Sequence, residues 1–361
     1  MLTFGDVRCF IPVMSEPPKD SLADLLKATS RSFYLTLRVL PATVRPQIGL
    51  AYLLARTTDT IADTELVPLE QRLDALQRLR ERILTSSTVP LNFGELAQHQ
   101  GLPAERVLLE KAGDSLALLQ TLSPDDLQLV RTLLDIIMGG QELDLRRFAG
   151  ASGRGIVALA TAAELDDYTY RVAGCVGEFW TRICRAHLFP RARLDDRQLL
   201  ADGIRFGQGL QLVNILRDLP ADLRNGRCYL PRTALAAAGL TPETLLAPAG
   251  EAAFRPLYLD HLELAAAHLR AGWEYTNALP RSCVRVRLAC AWPVLIGWRT
   301  IEKLRTARGA EIQQRVKVPR REVRMILLRS VISYPFPKAW REQVKPFSPS
   351  GKAVAPGGEL A

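Results

Sequence analysis

The chain has 361 residues, 48% of them hydrophobic, with 47 Lys and Arg against 38 Asp and Glu, for a net charge of +9. That is ample for a sizeable buried core, and the basic balance admits a nucleic acid, an anionic lipid or a polyanionic substrate as partner. A nucleic-acid stacking platform is excluded because the one dense basic run, Arg315 to Arg329, has no interleaved aromatics, and neither zinc-finger nor HExxH spacing occurs.

The N-terminal extension, residues 1–20, contains Asp6, Arg8 and prolines and lacks the apolar core of a signal peptide. Apolar periodicity near 3.6 then predicts helices over Leu22–Lys27, Ser30–Leu40, Arg45–Thr60, Leu69–Leu84, Ala104–Leu122 and Pro124–Arg147. Further helices are predicted over Leu165–His187, Asp195–Leu219, Ala252–Ala278, Val284–Arg308 and Arg320–Ser330. Ser123-Pro124-Asp125-Asp126 is a start signal, with a cap, a proline in the first turn and acids at the positive dipole end. Asn225-Gly226 follows a helical segment and reads as a helix stop rather than a hairpin. Strand alternation is scarce, so residues 21–335 read as one all-α domain, with 336–361 as a flexible tail.

The most apolar late segment, Leu288–Trp298, is too short for a bilayer, which takes about 20 residues. Six cysteines (Cys9, Cys175, Cys184, Cys228, Cys283 and Cys290) form no CxxC pair and read as buried thiols in a reducing, cytoplasmic setting.

Two carboxylate pairs carry the chemistry. Asp59 and Asp63 stand at i, i+4 and continue a stripe made by Ile48, Tyr52 and Ala55, so they share one inward face. Asp218 and Asp222 repeat the spacing on a polar line with Gln211 and Asn214, inside an otherwise apolar segment. Such a line suits the wall of a wet cavity. Unpaired carboxylates on an inward face are costly, and Mg2+ shared with substrate phosphates is one way to keep them ionised. A solvated helix face shows the same spacing, and spacing alone does not decide.

The sequence around both pairs resembles the squalene/phytoene synthase family. The matching stretches are Ser30-Arg31-Ser32-Phe33-Tyr34, the helix from Tyr52 through Arg56 and Asp59 to Asp63, and Tyr168 to Gly177 with its Val172-Ala173-Gly174. They continue with Gln211 through Asn214, Arg217 and Asp218 to Asp222, and with Gly226-Arg227-Cys228-Tyr229-Leu230-Pro231. Together they span roughly residues 30–231 in the family's order.

The resemblance implies an all-α isoprenoid synthase helical bundle around a central cavity. It implies head-to-head joining of two allylic diphosphates, with farnesyl diphosphate favoured as substrate. Asp59, Asp63, Asp218 and Asp222, with Asn214, would hold Mg2+ (or Mn2+). Ser30, Arg31, Ser32, Tyr52, Arg56, Gln211, Arg217 and Arg227 would bind diphosphate, and Tyr168 would attend the carbocation and its proton. Arg315–Arg320 resembles a segment that squalene synthases use near NADPH, which nominates Lys317 and Arg320 and favours squalene as product. Phytoene, dehydrosqualene or presqualene diphosphate without reduction is the alternative, and a non-catalytic membrane-associated assembly factor is a second one. Peripheral membrane contact stays compatible with the basic C-terminal part, and oligomeric state is not legible.

Ala62 and Ala221 stand where many squalene synthases carry a third acid, and Pro220 predicts a kink. Ala173 and Gly177 read as close helix packing. Gly139 and Gly140 would thin the cavity wall for a long prenyl chain, or else kink their helix.

Overall fold

The computed structural model describes residues 22–30, 33–85, 87, 90–152, 155–247, 251–307 and 316–344. Chain order begins with α1 (Leu22–Ser30), α2 (Phe33–Val39), α3 (Arg45–Ala62), α4 (Leu69–Leu84), α5 (Gly94–Gln98), α6 (Pro103–Glu110), α7 (Ala112–Leu119) and α8 (Pro124–Arg147). Next come β1 (Val157–Ala158), α9 (Ala162–Thr169), a π-helical turn (Tyr170–Gly174), α10 (Cys175–Leu188), α11 (Asp196–Arg224), β2 (Arg227–Cys228) and α12 (Arg232–Ala237). A 3-10 turn (Pro242–Leu246) precedes α13 (Glu251–Ala278), α14 (Val284–Thr306), α15 (Arg320–Ser333) and α16 (Pro337–Arg341).

Local chemistry sets many of these ends. Ser123 caps α8 by accepting from the Asp126 N–H, with Asp125 and Asp126 in the first turn and Arg146 and Arg147 in the last. Asp195 caps α11 by accepting from the Gln198 N–H. Asn225 ends α11, and Gly226 follows in the left-handed region at φ 80°. A side chain there would also meet the Ser152 backbone N at 2.3 Å. The glycine turns the chain into β2, which pairs in parallel with β1, and the expected helix stop is what the structure has.

Three differences from the predicted helices go beyond a shift of an end by a few residues or carry a physical reason. Ala104–Leu122 is two helices, broken at Lys111, which ends α6 and begins α7. Leu165–His187 is interrupted by the π-helical turn where the chain crosses α11. The helix expected to stop at Leu219 runs unbroken through Pro220 to Arg224. Proline there removes the N–H that would bond the Leu216 carbonyl. The buried Tyr258 hydroxyl donates to that carbonyl instead, at 3.0 Å.

Two apolar clusters fill the interior. One joins α3, α4, α8 and α10 through Leu54, Leu79, Leu134 and Ile183. The other joins α11, α13 and α14 through Leu216, Leu262 and Ile301. Fully burying each such side chain contributes about 1.5–3 kcal/mol. The clusters meet where the π-helical turn and α10 cross α11 backbone to backbone. A Cβ at Gly177 would lie 1.9 Å from the Gly203 carbonyl oxygen, and one at Gly207 would lie 2.0 Å from that of Ala173. The close-packing reading of Ala173 and Gly177 therefore holds.

Gly139 and Gly140 are not among the residues that line the cavity. Helix α8 continues through them, and Gly140 admits the π-helical turn, since a Cβ there would come within 2.8 Å of the Arg171 Cβ. Residues 336–344, expected in a flexible tail, include α16, whose Trp340 is buried against Trp273 with ring centroids 5.2 Å apart. Residues 345–361 lie outside the described residues. The described cysteines are all free, with Cys175, Cys184, Cys228 and Cys290 buried and Cys283 partly so.

Candidate active site

An apolar cavity lies beside these clusters and opens to solvent, with about 880 Å³ of space between atoms when the open side is counted in. Ile48, Ala51 and Ala55 of α3, Ile137 of α8, Phe206 of α11 and Pro293 of α14 are among its walls. Tyr52 also lines it, and its hydroxyl donates to the Thr29 carbonyl at 3.0 Å, tying α3 to the end of α1.

Helix α3 carries the first carboxylate pair. Asp59 is 9% exposed. Its Oδ1 accepts from Gln141 Nε2 of α8 at 2.5 Å. Its Oδ2 has no hydrogen bond, and the nearest cation is Arg56 Nη1 at 3.8 Å. Arg56 is held from its other side by an ion pair with Glu105 of α6. Burial raises the Asp59 carboxyl above its ordinary range. Asp63, the C-cap of α3, is open to solvent but recessed among protein groups. Desolvation in that recess, then the Asp59 charge, pushes Asp63 up to about 7.

Helix α11 carries the second pair. Gln211, Asn214 and Arg217 are buried on it, and Asn214 Nδ2 donates to Gln211 Oε1 at 3.3 Å. Arg217 grips Asp218 with two hydrogen bonds, at 3.0 and 2.6 Å. Burial, then the Asp218 charge, pushes Asp222 up to about 7.

One arginine addresses both pairs. The Arg227 guanidinium draws down Asp63 on α3 and Asp222 on α11, as well as Asp144 on α8. It stands over the Phe148 ring at 5.8 Å and pairs with Glu65 at 3.2 Å. The two aspartate pairs and Arg227 therefore form one mouth.

Tyr168 stands beside it, stacked on Tyr229 with centroids 4.6 Å apart. Gln211 Nε2 donates to its hydroxyl at 3.4 Å. Burial, then the charges of Asp144 and Asp222, hold the Tyr168 phenol well above its ordinary value, so it stays protonated at neutral pH. The Tyr229 hydroxyl donates to Asp144 Oδ2 at 3.1 Å, and burial raises that carboxyl to about 6.

The structure thus brings together Asp59, Asp63, Asp218, Asp222, Asn214, Gln211, Arg56, Arg217, Arg227 and Tyr168. Ser30 is buried at the end of α1, with an Oγ that has no hydrogen bond. Arg31 and Ser32 lie outside the described residues. Lys317 and Arg320 are exposed, and neither lines the cavity.

Sequence reasoning missed Gln141, Asp144 and the role of Tyr229. A signal existed for the first. Gln141 continues the buried stripe of Leu134, Ile137, Met138 and Leu145, as Asp59 continues that of α3. Tyr229 lay inside a quoted motif without an assigned role.

The donor set fits a hard divalent cation. Asp59 Oδ2, Gln141 Oε1 and Asp144 Oδ1 are buried acceptors with no hydrogen bond, and within each pair the charge of one aspartate raises the other, Asp59 acting on Asp63 and Asp218 on Asp222. Among the described residues no three His, Cys, Asp or Glu side chains converge on one point. Mg2+ tolerates this, because it combines one or two carboxylates with water and substrate phosphate.

Residues 26–322 match the family described as squalene/phytoene synthase. A presqualene diphosphate synthase from Rhodopseudomonas palustris is 30% identical over 284 residues, covering 78% of this chain and 86% of its own. One from Sinorhizobium fredii is 30% identical over 305 residues, covering 84% and 93%. The solved structure of TcSQS with a ligand has a TM-score of 0.69 at 21% identity, covering 86% of this chain and 85% of that one, and establishes likeness of fold.

Proposed function

Starting from the chain's membership of the squalene/phytoene synthase family, whose relatives here are prenyltransferases, we propose that it joins two farnesyl diphosphates head to head and releases presqualene diphosphate. The observation that carries the reading is the mouth, where two carboxylate pairs meet Arg227, with the apolar cavity reached a turn or two back along α3 at Ala55 and Tyr52. Diphosphate is a poor leaving group until its charge is neutralised. Asp59, Asp63, Asp218 and Asp222, with Asn214, would hold Mg2+, which would supply that neutralisation as a Lewis acid. Arg56, Arg217 and Arg227 add guanidinium contacts to phosphate oxygens.

In this reading the C1–O bond of one substrate breaks and its electron pair leaves with diphosphate. The double bond of the second substrate supplies the electrons for the new C–C bond, and loss of one proton closes the cyclopropane. Tyr168, neutral and oriented by Gln211 and Tyr229, presents a π face to the cation and a hydroxyl through which the proton passes to the departing diphosphate. The apolar cavity keeps water from the cation.

One observation supports stopping at presqualene diphosphate: two relatives that cover 78% and 84% of this chain bear that name. Squalene formation with NADPH is the second reading, favoured by the resemblance of the Arg315–Arg320 segment.

Product analysis separates the two. Purified protein, Mg2+ and farnesyl diphosphate are incubated with and without NADPH, and geranylgeranyl diphosphate is run separately. Presqualene diphosphate under both conditions is the expected result. Squalene only with NADPH would move the assignment to the second reading, and phytoene from the longer substrate would change the substrate class.

A further inference from the structure

Among the described residues, twelve large hydrophobic side chains are exposed, and five of them fall between positions 325 and 336. The other seven are scattered, as lone surface hydrophobics usually are. Met325, Leu328 and Ile332 stand at i, i+3 and i+7 on α15, with Val331 beside them and Phe336 just beyond, each 49–62% exposed. Their spacing makes one continuous outer stripe.

The same segment is strongly basic. Residues 316–341 include seven Lys or Arg and one acid, Glu322. Glu322 is turned inward, ion-paired with Arg299 and with Lys303 at 3.2 Å. The inner face of α15 is anchored by Ser330, whose Oγ accepts from Trp292 Nε1 of α14 at 3.0 Å. Arg321, Arg324 and Arg329 are exposed and make no ion pair among the described residues. The outer face is therefore aliphatic and cationic, with no acid to neutralise it.

We propose that this face of α15, extended by Phe336, docks the protein on the surface of an anionic lipid bilayer. A bilayer satisfies both halves of the pattern at once, since the aliphatic stripe enters the acyl boundary while the arginines meet headgroup phosphates. A second copy of the chain would oppose like charges across a two-fold contact. Nucleic acid would leave the aliphatic stripe in water. No helix of the described residues is long and apolar enough to cross a membrane, so the contact lies in the surface plane. Helix α14 sits between, with Ala289, Cys290 and Pro293 on the cavity and Trp292 against α15. The docking face is thus one helix away from the cavity.

The test is flotation of the full chain with vesicles of phosphatidylcholine plus phosphatidylglycerol, against phosphatidylcholine alone, at low and high salt. Binding is expected to the anionic vesicles and to weaken with salt. Arg321→Gln with Arg324→Gln should weaken it by about thirtyfold, and Leu328→Ser with Ile332→Ser by at least about tenfold. Leu66→Ser, at a lone exposed leucine, should change nothing. Arg329→Gln with Phe336→Ser gives an independent pair should one variant fold poorly, as circular dichroism would show. Condensation activity in detergent-free buffer should be kept by each folded variant. No binding to anionic vesicles, or binding that survives every pair, would overturn the proposal. Self-association of the wild type that these substitutions abolish without lipid would replace it with a contact between copies.

Discussion

Asp59 shows how a single side chain reports its chemistry. It is buried, with one oxygen bonded to Gln141 and the other without a hydrogen bond, which is the environment that suits the metal-binding role proposed for it. Gln141→Leu should raise the Mg2+ concentration needed for half-maximal activity by about 10–100-fold, read from Mg2+ titrations at saturating substrate; an unchanged titration would remove Gln141 from the site. Asp63 and Asp222 titrate near 7 in the folded chain, against about 4 when unfolded. Between those values the folded chain holds protons that the unfolded chain has released, so this contribution to stability falls as pH rises from about 4 to about 7. Metal-free wild type should therefore lose more stability between about pH 5 and about pH 7.5 than the Asp63→Asn, Asp222→Asn double variant, measured by urea unfolding at both values. Equal losses would contradict the raised carboxyls.

Helices and their crossings make the second scale. Periodicity located α3, α8, α13 and α14 because each has a long apolar stripe, and capping chemistry fixed the start of α8. Breaks that depend on partners were not legible. The π-helical turn follows from contact with α11, and the passage of α11 through Pro220 depends on a tyrosine 38 positions later in the chain. Tyr258→Phe should cost about 1–3 kcal/mol by leaving the Leu216 carbonyl buried and unbonded. Adding Pro220→Ala should recover much of that loss, because the restored N–H takes over the carbonyl; a double-mutant cycle without coupling would show that the hydroxyl does not compensate for the proline. At the crossing, Gly207→Ala places a Cβ 2.0 Å from the Ala173 carbonyl oxygen. It should destabilise by about 3 kcal/mol or more, with the π-helical turn forced away from α11; a loss below about 1 kcal/mol would mean that the two part readily. The site was legible to a similar degree. Residues inside the motifs could be read, while Asp144 and Gln141 reach the mouth only through the placement of α8.

Across the whole molecule, the mouth joins two cores. Asp59 and Asp63 belong to the α3 side, Asp218 and Asp222 to the α11 side, and Arg227 is the group that addresses both. A ligand that engages both pairs should therefore stabilise the fold as a unit. Mg2+ together with inorganic diphosphate should raise the thermal midpoint, with about 2.7 kcal/mol gained at a hundredfold excess over Kd. Mg2+ alone should do little, since few carboxylates converge on any one point. A full shift from Mg2+ alone would place a complete metal site in the protein itself.

The three arginines at the mouth have a further effect once turnover is complete. On the proposed reaction, groups that draw diphosphate away from carbon would also retain it afterwards, and retention would block entry of the next substrate pair. On this account release of the inorganic by-product sets the pace, and the enzyme runs forward only as fast as diphosphate is hydrolysed around it. Adding an inorganic pyrophosphatase should then lift a progress curve that otherwise flattens early.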